Sequence, residues 1–356
     1  MPKTSVITFA DAINDALFLS MKKDKNMICY GLGITDPKNI FGTTKNLLKK
    51  FGDQRVFDVP CSENALTGIS IGAALSGVRS VVTHQRLDFF LLAMDQLVNA
   101  AAKWYYMFGS QKSVPITIRL IIGKGWGQGP THSQNLQAWF NHIPGLKVVM
   151  PSSPEDAKGL LIASIFDPNP VIFLEHRWLH NTKSVVKKKY YELALGKAKI
   201  LKKGKDITIL SISYLNIEAV KAAKFLLSEY KIDAEVIDIR TIKPMDWKTI
   251  FNSIKKTGRL LVLDTASITG SISSDIIAKV VTEKSILLKS PPARMAMPDI
   301  PEPTSYGLAK EFFLSDVNIV NSVLKILKVK IKNSLNKKIL RIRNYDQPYM
   351  NFTGPF

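Results

Sequence analysis

The chain has 356 residues, enough for two domains, and its 46% hydrophobic and 22% charged residues are close to the averages of soluble globular proteins. The two cysteines, Cys29 and Cys61, exclude a disulfide scaffold and any zinc or iron–sulfur site with several cysteine ligands. No apolar run approaches the roughly 18 residues of a membrane-spanning helix, and no signal-peptide pattern is visible near the N-terminus. We therefore expect a cytoplasmic protein without a membrane partner.

The formal net charge is +20, from 49 Lys and Arg against 29 Asp and Glu. A nucleic-acid-binding protein usually concentrates such charge in a recognisable module, and this sequence has none, so we expect no nucleic-acid partner. The charge is dense only at Lys325–Arg343, which has eight basic residues and no acidic one. It is explained either by a solvated or partner-facing surface, or by a surface that attracts phosphorylated substrates, anionic cofactors or an acidic partner.

The first half of the chain alternates helical and strand patterns. Apolar residues recur at helical spacing over 7–21, and 64–76 is an apolar stretch of small residues typical of a buried helix. Strands are predicted at 27–31, 79–83, 115–122, 147–150 and 170–175, and further helices at 89–108 and 153–166. Strands that alternate with helices indicate a parallel sheet covered on both faces.

The segment 181–195 is polar and basic, and we predict that it links two domains. The alternation then restarts, with strands predicted at 206–214, 234–240, 259–264 and 292–297 and helices at 217–230, 244–256 and 271–281. The segments 304–313 and 317–327 close this domain. The predicted fold class is therefore α/β, with two doubly wound domains at 1–180 and 196–330. A basic C-terminal extension at 331–356 ends in Pro, Gly and aromatic residues, and we expect it to form an extended arm.

A glycine-rich loop at 123–129 has the sequence GKGWGQG. A dinucleotide-binding fingerprint needs glycine at the first, third and sixth positions, and Gln128 at the sixth excludes it. The loop follows a predicted strand, and ligands bind at the carboxyl ends of the strands in open parallel sheets. His132, three residues after the loop, is therefore either a general acid or base or a structural histidine.

Glu63 opens the apolar helix pattern at 64–76, directly after the sequence DVPCS at 58–62. A lone carboxylate in this position has an ordinary explanation, because the N-terminus of a helix favours negative charge. It is also a candidate for acid–base chemistry. The residues alone leave both explanations open.

Several stretches, taken in order, resemble one known family. They are KFGDQRV at 50–56, Pro60 and Glu63, the glycines Gly68, Gly72 and Gly77, AMDQLVNAAAK at 93–103, HSQ at 132–134, PGLKVVMP at 144–151 and EDAKGL at 155–160, with Arg294, Asp299, Pro301 and Pro303 in the second half. Over about residues 5–328 the chain resembles beta subunits of the thiamine-diphosphate-dependent first component of 2-oxo acid dehydrogenases. That group, with its pyruvate, branched-chain and acetoin enzymes, belongs to the transketolase superfamily.

The resemblance implies a pyrimidine-binding domain followed by a transketolase C-terminal domain. It places Glu63 at the family's cofactor glutamate, which hydrogen-bonds the aminopyrimidine ring of thiamine diphosphate and promotes removal of the thiazolium proton. Phe89 matches the aromatic residue that packs against the pyrimidine, and Cys61 matches a residue that lines the same ring. His132 matches the active-site histidine, which orients substrate or stabilises a developing oxyanion.

The resemblance also implies ions and partners. Asp167 and Asn169 resemble a potassium-binding loop of some members, although a turn explains the same residues. The superfamily holds the diphosphate through magnesium on a Gly-Asp-Gly motif, which this sequence lacks. The resemblance therefore implies an alpha-type partner that carries the motif, in a heterotetramer, and a lipoyl acyltransferase as acceptor in the dehydrogenase role.

Departures from the family pattern concern the substrate. The chain has GLG at 31–33 where the family commonly has an acidic pair, and the loop residues Trp126 and Gln128 are bulky and atypical. His84 and Arg86 replace an acidic and aromatic stretch of the family. They are either ligands of a phosphate or carboxylate, or part of a surface turn.

Three hypotheses follow. The first is the beta subunit of a two-chain thiamine-diphosphate enzyme that cleaves the C–C bond next to the carbonyl of a 2-oxo acid and passes the enamine unit to an acceptor. The second, favoured by His84 and Arg86, is a split transketolase or carboligase that transfers the unit to an aldehyde in sugar metabolism. The third is a catalytically silent scaffolding subunit, and the joint presence of Glu63, Phe89 and His132 argues against it.

Overall fold

The computed structural model describes residues 4–124 and 127–331, which form two compact units. Within the described residues, the first unit comprises 4–195 and 242–244, and the second comprises 196–241 and 245–331. Both units combine a mainly parallel sheet with helices, which confirms the predicted α/β fold class. Trp126 and residues 332–356 of the predicted extension lie outside the described residues.

The elements follow one another in the expected alternation. The strands are β1 (Thr4–Thr8), β2 (Ile28–Tyr30), β3 (Val56–Phe57), β4 (Ser80–His84), β5 (Ile116–Ile122), β6 (Lys147–Val149), β7 (Val171–His176), β8 (Lys183–Lys187), β9 (Lys199–Lys202), β10 (Ile207–Ser211), β11 (Ala234–Asp238), β12 (Thr241–Lys243), β13 (Leu260–Ser267) and β14 (Ala293–Met297). The helices are α1 (Phe9–Lys23), α2 (Leu47–Phe51), α3 (Glu63–Leu75), α4 (Leu87–Phe90), α5 (Trp104–Met107), α6 (Gln137–His142), α7 (Pro154–Phe166), α8 (Leu215–Tyr230), α9 (Trp247–Thr257), α10 (Ile272–Thr282), α11 (Tyr306–Phe312) and α12 (Asp316–Ile326).

The first unit is built on a seven-stranded sheet with the order β12-β6-β7-β5-β4-β2-β3. The pairs β2–β3, β2–β4, β4–β5, β5–β7 and β6–β7 are all parallel. Every residue of β4, β5 and β7 is buried, as expected for strands covered on both faces. Because the strands are parallel, their carboxyl ends lie along one edge of the sheet, and the loops that follow them meet there.

The helices of the first unit begin at recognisable caps. The Thr8 hydroxyl accepts a hydrogen bond from the backbone N–H of Asp11 at 3.0 Å, and the Asp11 carboxylate accepts one from the backbone N–H of Thr8 at 3.2 Å, which forms a capping box for α1. At α7 the Ser153 hydroxyl accepts from the backbone N–H of Asp156 at 3.2 Å, and Pro154 occupies the first helical position. These caps explain why the sequence signals located α7 correctly.

Part of the segment 181–195, expected to be a linker, is regular structure packed on the first unit. Strand β8 pairs antiparallel with β1. The buried Lys158 ammonium on α7 donates to the carbonyl of Lys187 at 2.6 Å, and the Tyr191 hydroxyl donates to the carbonyl of Glu155 at 2.8 Å. The basic side chains suggested a solvated connection, whereas its backbone is held by β1 and α7.

The helix predicted over 89–108 is not one regular α-helix. Between α4 and α5 the structure has a 3₁₀ turn at Leu91–Ala93 and a π-helical stretch at Gln96–Ala101. The backbone N–H of Ala102 bonds the carbonyl of Leu97 at 2.9 Å, the five-residue spacing of a π-helix. The expectation of a single α-helix is therefore corrected, because periodicity does not distinguish hydrogen-bond registers that differ by one residue.

The second unit has a five-stranded sheet with the order β14-β13-β10-β11-β9. Its first four strands are parallel, and β9 adds an antiparallel edge. Helix α12 packs on α8 and begins at a capping box made by Ser315 and Asn318. The strands and helices predicted for this half are present within a few residues of their expected bounds.

Candidate active site

A cavity of about 270 Å³ opens at the carboxyl edge of the first unit's sheet. The loops after the neighbouring strands β2, β4 and β5 line it. Its lining residues are Gly33, Asp36, Lys38, Ile40 and Phe41 after β2, Gln85, Arg86 and Phe89 after β4, and Gln128 and His132 after β5. The cavity therefore lies where the topology of a parallel sheet predicts a ligand.

Phe89 and His132 meet in this cavity. Their ring centroids are 5.4 Å apart and the ring planes are almost perpendicular, at 88°. The Asp88 carboxylate links the two loops, because its Oδ1 accepts from Gln134 Nε2 at 2.8 Å and from the Gln134 backbone N–H at 3.4 Å. His132 Nδ1 lies 3.0 Å from the Thr131 hydroxyl. Both rings are half-buried, which leaves each with a face toward a ligand.

Arg86 is 3% exposed and lines the same cavity. It donates from Nη2 to Gln128 Oε1 at 2.5 Å and from Nη1 to the carbonyl of Gly123 at 3.3 Å, so it bridges from its own loop to the glycine-rich loop. Its guanidinium lies 5.4 Å from the centroid of the Phe41 ring. The structure thus brings Arg86, one of the two residues that sequence interpretation connected with an anionic substrate, next to Phe89 and His132.

His84, the other of those two residues, is not among the residues that line the cavity. It ends β4, is 7% exposed and packs edge-on against Phe90, with the ring centroids 5.0 Å apart. Burial lowers the pKa of His84 to about 4, so the ring is neutral near pH 7. Its Nε2 has no hydrogen-bond partner in the described part of the chain. Arg86 therefore lines the cavity and His84 does not, and the role of His84 as a substrate ligand stays a prediction.

The loop after β2 reaches the cavity through a left-handed turn. Asn39, Ile40 and Phe41 have φ angles of 49°, 45° and 58°, and Gly42 follows at 82°. A β-branched residue such as isoleucine rarely adopts this conformation, which costs on the order of 1–3 kcal/mol. A hydrogen bond of 2.9 Å from the Gly42 N–H to the carbonyl of Lys38 closes the turn. The turn carries Ile40 and Phe41 into the cavity lining.

Gly33 and Asp58 connect the loops after β2 and β3. Asp58 Oδ1 accepts from the backbone N–H groups of Gly33 and Val59, each at 2.8 Å. Gly33 has a φ of 78°, and a Cβ at this position would lie 2.0 Å from Gln85 Nε2. The second glycine of the GLG departure is therefore favoured by its left-handed backbone conformation, and a larger residue would also displace the end of the Gln85 side chain.

An ion pair lies within the strands that carry these loops. Arg119 on β5 donates to the Glu175 carboxylate on β7 at 2.6 and 3.0 Å, and to the Thr83 hydroxyl on β4 at 3.2 Å. Both charged side chains are fully buried. Burial opposes ionisation of Glu175, but the charge of Arg119 and the hydrogen bonds that it donates outweigh burial and hold the pKa of Glu175 below its usual value. Burial lowers the pKa of His180 to about 4, although Glu175, at 3.5 Å, opposes the shift.

Glu63 is the first residue of α3, which starts at the same carboxyl edge of the sheet, after β3. Its side chain is half-buried and makes no hydrogen bond or ion pair with the described residues, and Cys61, two residues earlier, is exposed. The Tyr30 hydroxyl holds α3 to the sheet by donating to the carbonyl of Leu66 at 2.8 Å. Helix α3 also packs on the helical segment that follows Phe89. Glu63 does not line the cavity itself but stands beside the elements that do.

Asp167 and Asn169 lie at the opposite edge of the sheet, where β7 begins. The Lys147 ammonium contacts Asp167 Oδ2, and the backbone N–H of Asn169 donates to Asp167 Oδ1 at 2.9 Å. Both carboxylate oxygens are thus engaged, one of them by a protein cation, so these residues do not fit a potassium ion. Among the residues that the structure describes, no group of three or more His, Cys, Asp or Glu side chains could hold a metal ion.

Sequence interpretation missed several contributors to the cavity. Lys38 and Phe41 lie in a loop without periodicity and gave no signal. Asp88 is adjacent to Phe89, and its partner Gln134 belongs to the HSQ motif at 132–134. Both residues could be recognised from the sequence, but their hydrogen bond was not predicted. Arg177, whose guanidinium lies 4.5 Å from the Phe41 ring centroid, follows the end of a strand and could have been found from that position.

Comparisons with known proteins describe both units. Residues 5–182 match the model of the transketolase pyrimidine-binding domain, and residues 196–319 match that of the transketolase C-terminal domain. The chain is 39% identical to the beta subunit of acetoin:2,6-dichlorophenolindophenol oxidoreductase from Bacillus subtilis, over 90% of this chain and 97% of that protein. It is also 39% identical to the pyruvate dehydrogenase E1 component subunit beta from Rickettsia bellii, over 91% and 99%.

A solved structure supports the fold alone. The chain is similar to a split-gene transketolase in an inactive beta4 tetramer, with a TM-score of 0.74 and 21% identity, covering 91% of this chain and 99% of that one. None of the helices in the described part of the chain has the length and apolar character needed to cross a membrane.

Proposed function

This chain belongs to the family of beta subunits of thiamine-diphosphate-dependent 2-oxo acid dehydrogenase first components, and we propose that, with an alpha-type subunit, it cleaves the C–C bond next to the carbonyl of a 2-oxo acid. The observation that carries the proposal is the pairing of Phe89 with His132 in the cavity at the carboxyl edge of the sheet. Bound thiamine diphosphate supplies the electron sink for this cleavage.

The residues near α3 fit the pyrimidine half of the cofactor. The Glu63 carboxylate is half-buried and uncommitted among the described residues, so it is available to a ring nitrogen, with which it would share a proton. Phe89 offers an aromatic surface against which the pyrimidine would pack. The exposed Cys61, next to Glu63 in sequence, would line the same ring. We assign Glu63 as the proton-transferring group, and Phe89 and Cys61 as cofactor contacts.

His132 would act on the substrate. Its Nδ1 is engaged with the Thr131 hydroxyl, so we assign Nε2 to the substrate's reacting oxygen. An imidazole N–H in a partly dehydrated cavity stabilises the negative charge that develops on a carbonyl oxygen. The Asp88–Gln134 hydrogen bonds would keep His132 at its distance from Phe89 during the reaction.

The other half of the cofactor site would come from the partner. The sequence has no Gly-Asp-Gly motif, so we propose that an alpha-type subunit holds magnesium and the diphosphate, in a heterotetramer. A lipoyl acyltransferase would accept the acyl unit in the dehydrogenase role. We propose a cytoplasmic location for the assembly, and we assign no potassium ion to Asp167 and Asn169.

The test is the Glu63→Gln variant in the co-purified alpha–beta complex. Decarboxylation of a panel of 2-oxo acids is followed by reduction of 2,6-dichlorophenolindophenol, and we expect turnover to fall by about 10²–10⁴-fold while the complex still assembles. Glu155→Gln is the matched control, because Glu155 also lies in the first turn of a helix of this unit. Unchanged turnover in Glu63→Gln would overturn the role assigned to this carboxyl group.

A second candidate function is transfer of the two-carbon or acyl unit to an aldehyde, as in a split transketolase or carboligase. The presence of Arg86 and Lys38 in the cavity favours it, because these cations suit a phosphorylated aldehyde. Product analysis of the complex incubated with a 2-oxo acid and an aldehyde separates the two functions: a new C–C bond indicates the carboligase, and dye reduction without such a product indicates the dehydrogenase.

A further inference from the structure

One side of the cavity is cationic. Arg86 and Lys38 line it, and Arg177 approaches it through the Phe41 ring, whose centroid lies 5.4 Å from the Arg86 guanidinium and 4.5 Å from that of Arg177. Asp36 also lines the cavity, but it is exposed and lies beside Gly33. The cavity therefore has a buried cationic end at Arg86 and a mixed, exposed rim.

The two guanidinium groups are buried close to each other. Arg86 and Arg177 are each 3% exposed, and burial followed by the charge of Arg86 lowers the pKa of Arg177 to about 10. The hydrogen bonds from Arg86 to Gly123 and Gln128 are made to neutral oxygens. Two guanidinium groups close to each other concentrate positive charge at this end of the cavity, and that charge suits an anionic ligand.

The loop after β2 holds this arrangement in place. The left-handed turn at 39–42 places the Phe41 ring against both guanidinium groups, and the Asn14 side chain fixes the end of the turn by donating to the carbonyls of Thr43 and Lys45 at 3.1 and 3.0 Å. Strained backbone that persists at a cavity is typical of a binding site whose geometry is set before the ligand arrives.

We propose that the end of the cavity formed by Arg86 and Lys38 is a subsite for an anionic group that the substrate carries in addition to its reacting carbonyl, either a phosphate or a second carboxylate. A guanidinium binds both groups through two parallel hydrogen bonds, and Lys38 adds a point charge at the rim. Gln128, which bonds Arg86 in the structure, would exchange that bond for one to the anion. This assignment rests on the proposed function and adds the class of substrate to it, because the proposed function places the reacting carbonyl at His132 in the same cavity.

The subsite is tested by calorimetric titration of inorganic phosphate and, separately, acetate into the complete chain without cofactor. For the anion that binds, we expect Arg86→Gln to weaken binding by about 10- to 100-fold, and the exposed Lys38→Gln to weaken it by about 3- to 5-fold. Arg86→Lys should retain part of the affinity, since it keeps the charge but loses the paired hydrogen bonds. Lys45→Gln is the matched control: it lies in the same loop, is exposed and does not line the cavity.

The outcomes are separable. Tighter binding of phosphate supports a phosphorylated substrate, and tighter binding of acetate supports a substrate with a second carboxylate. No binding of either anion by the wild-type chain would overturn the subsite. Equal weakening in Lys38→Gln and Lys45→Gln would also overturn it, because it would show that the anion binds to the basic surface in general. Because no cofactor is present, anion binding in this titration does not depend on Glu63. The subsite can therefore fail while the proposed function stands, and the proposed function can fail while the subsite stands.

Discussion

The Arg119–Glu175 pair offers the sharpest prediction about how the fold supports the cavity. It joins β5 to β7 and, through Thr83, to β4, so it holds together strands whose loops line or adjoin the cavity. We consider Arg119→Met, Glu175→Leu and the double variant. Each single change leaves a fully buried polar partner without its counter-ion, whereas the double change replaces both charges with apolar side chains of similar volume.

The magnitude follows from the geometry. Two hydrogen bonds of 2.6 and 3.0 Å join the fully buried groups, and removing one partner of such a pair costs about 3–5 kcal/mol of unfolding free energy. Replacing both partners removes both desolvation penalties, so the double variant should lose about 1 kcal/mol or less. The two single effects therefore should not add, and their coupling should be several kcal/mol in size.

Urea denaturation of the four proteins, followed by circular dichroism, measures this cycle. The pKa of Glu175 is lowered in the folded protein, so its contribution is present above the unfolded value of about 4.5 and is lost as the pH falls through the lower folded value. The difference in unfolding free energy between the wild type and Glu175→Leu should accordingly become smaller at acidic pH. If the single variants cost less than about 1 kcal/mol of unfolding free energy, or if the cost of the double variant equals their sum, the buried ion pair does not stabilise the fold in this way.

Three further predictions concern single groups. Burial lowers the pKa of His84 to about 4, so the free energy of unfolding should fall as the pH drops from 6.5 through 4. In His84→Leu this fall should be smaller by about 3 kcal/mol, as measured by urea titrations at several pH values. Gly33→Ala should lower Tm in a thermal melt, because the φ of 78° at this position is a left-handed backbone conformation that alanine adopts only at a cost. Exchanging potassium for choline should leave Tm unchanged, because Lys147 already pairs with Asp167.

Much of the architecture could be predicted from periodicity and caps. Helix α7 was located because Pro154 and the acidic first turn mark its start, and β5 because its apolar β-branched residues form a continuous run. Strands β1 and β8 were not predicted, because they form a two-stranded sheet outside the main core and carry few apolar residues in the pattern of a buried strand. The same polar composition made the segment at 181–195 look like a linker.

The site was predictable where a motif fixes both residue type and spacing, and less so elsewhere. Arg86, Phe89 and His132 were selected from the sequence, and the structure brings all three to one cavity. Lys38 and Phe41 reach the cavity lining through a left-handed turn, which no sequence pattern predicts. His84 was grouped with Arg86 by proximity in the chain, but its ring packs against Phe90, so adjacency did not give a shared site.

The most direct test of the central claim is calorimetric titration of thiamine diphosphate with magnesium into this chain, into its alpha-type partner and into their mixture. We expect saturable binding in the mixture and none to this chain alone, because Glu63 and Phe89 would contact only the pyrimidine half of the cofactor. Equal binding by this chain without the partner, or no binding in the mixture while the two chains assemble, would contradict a site shared between subunits.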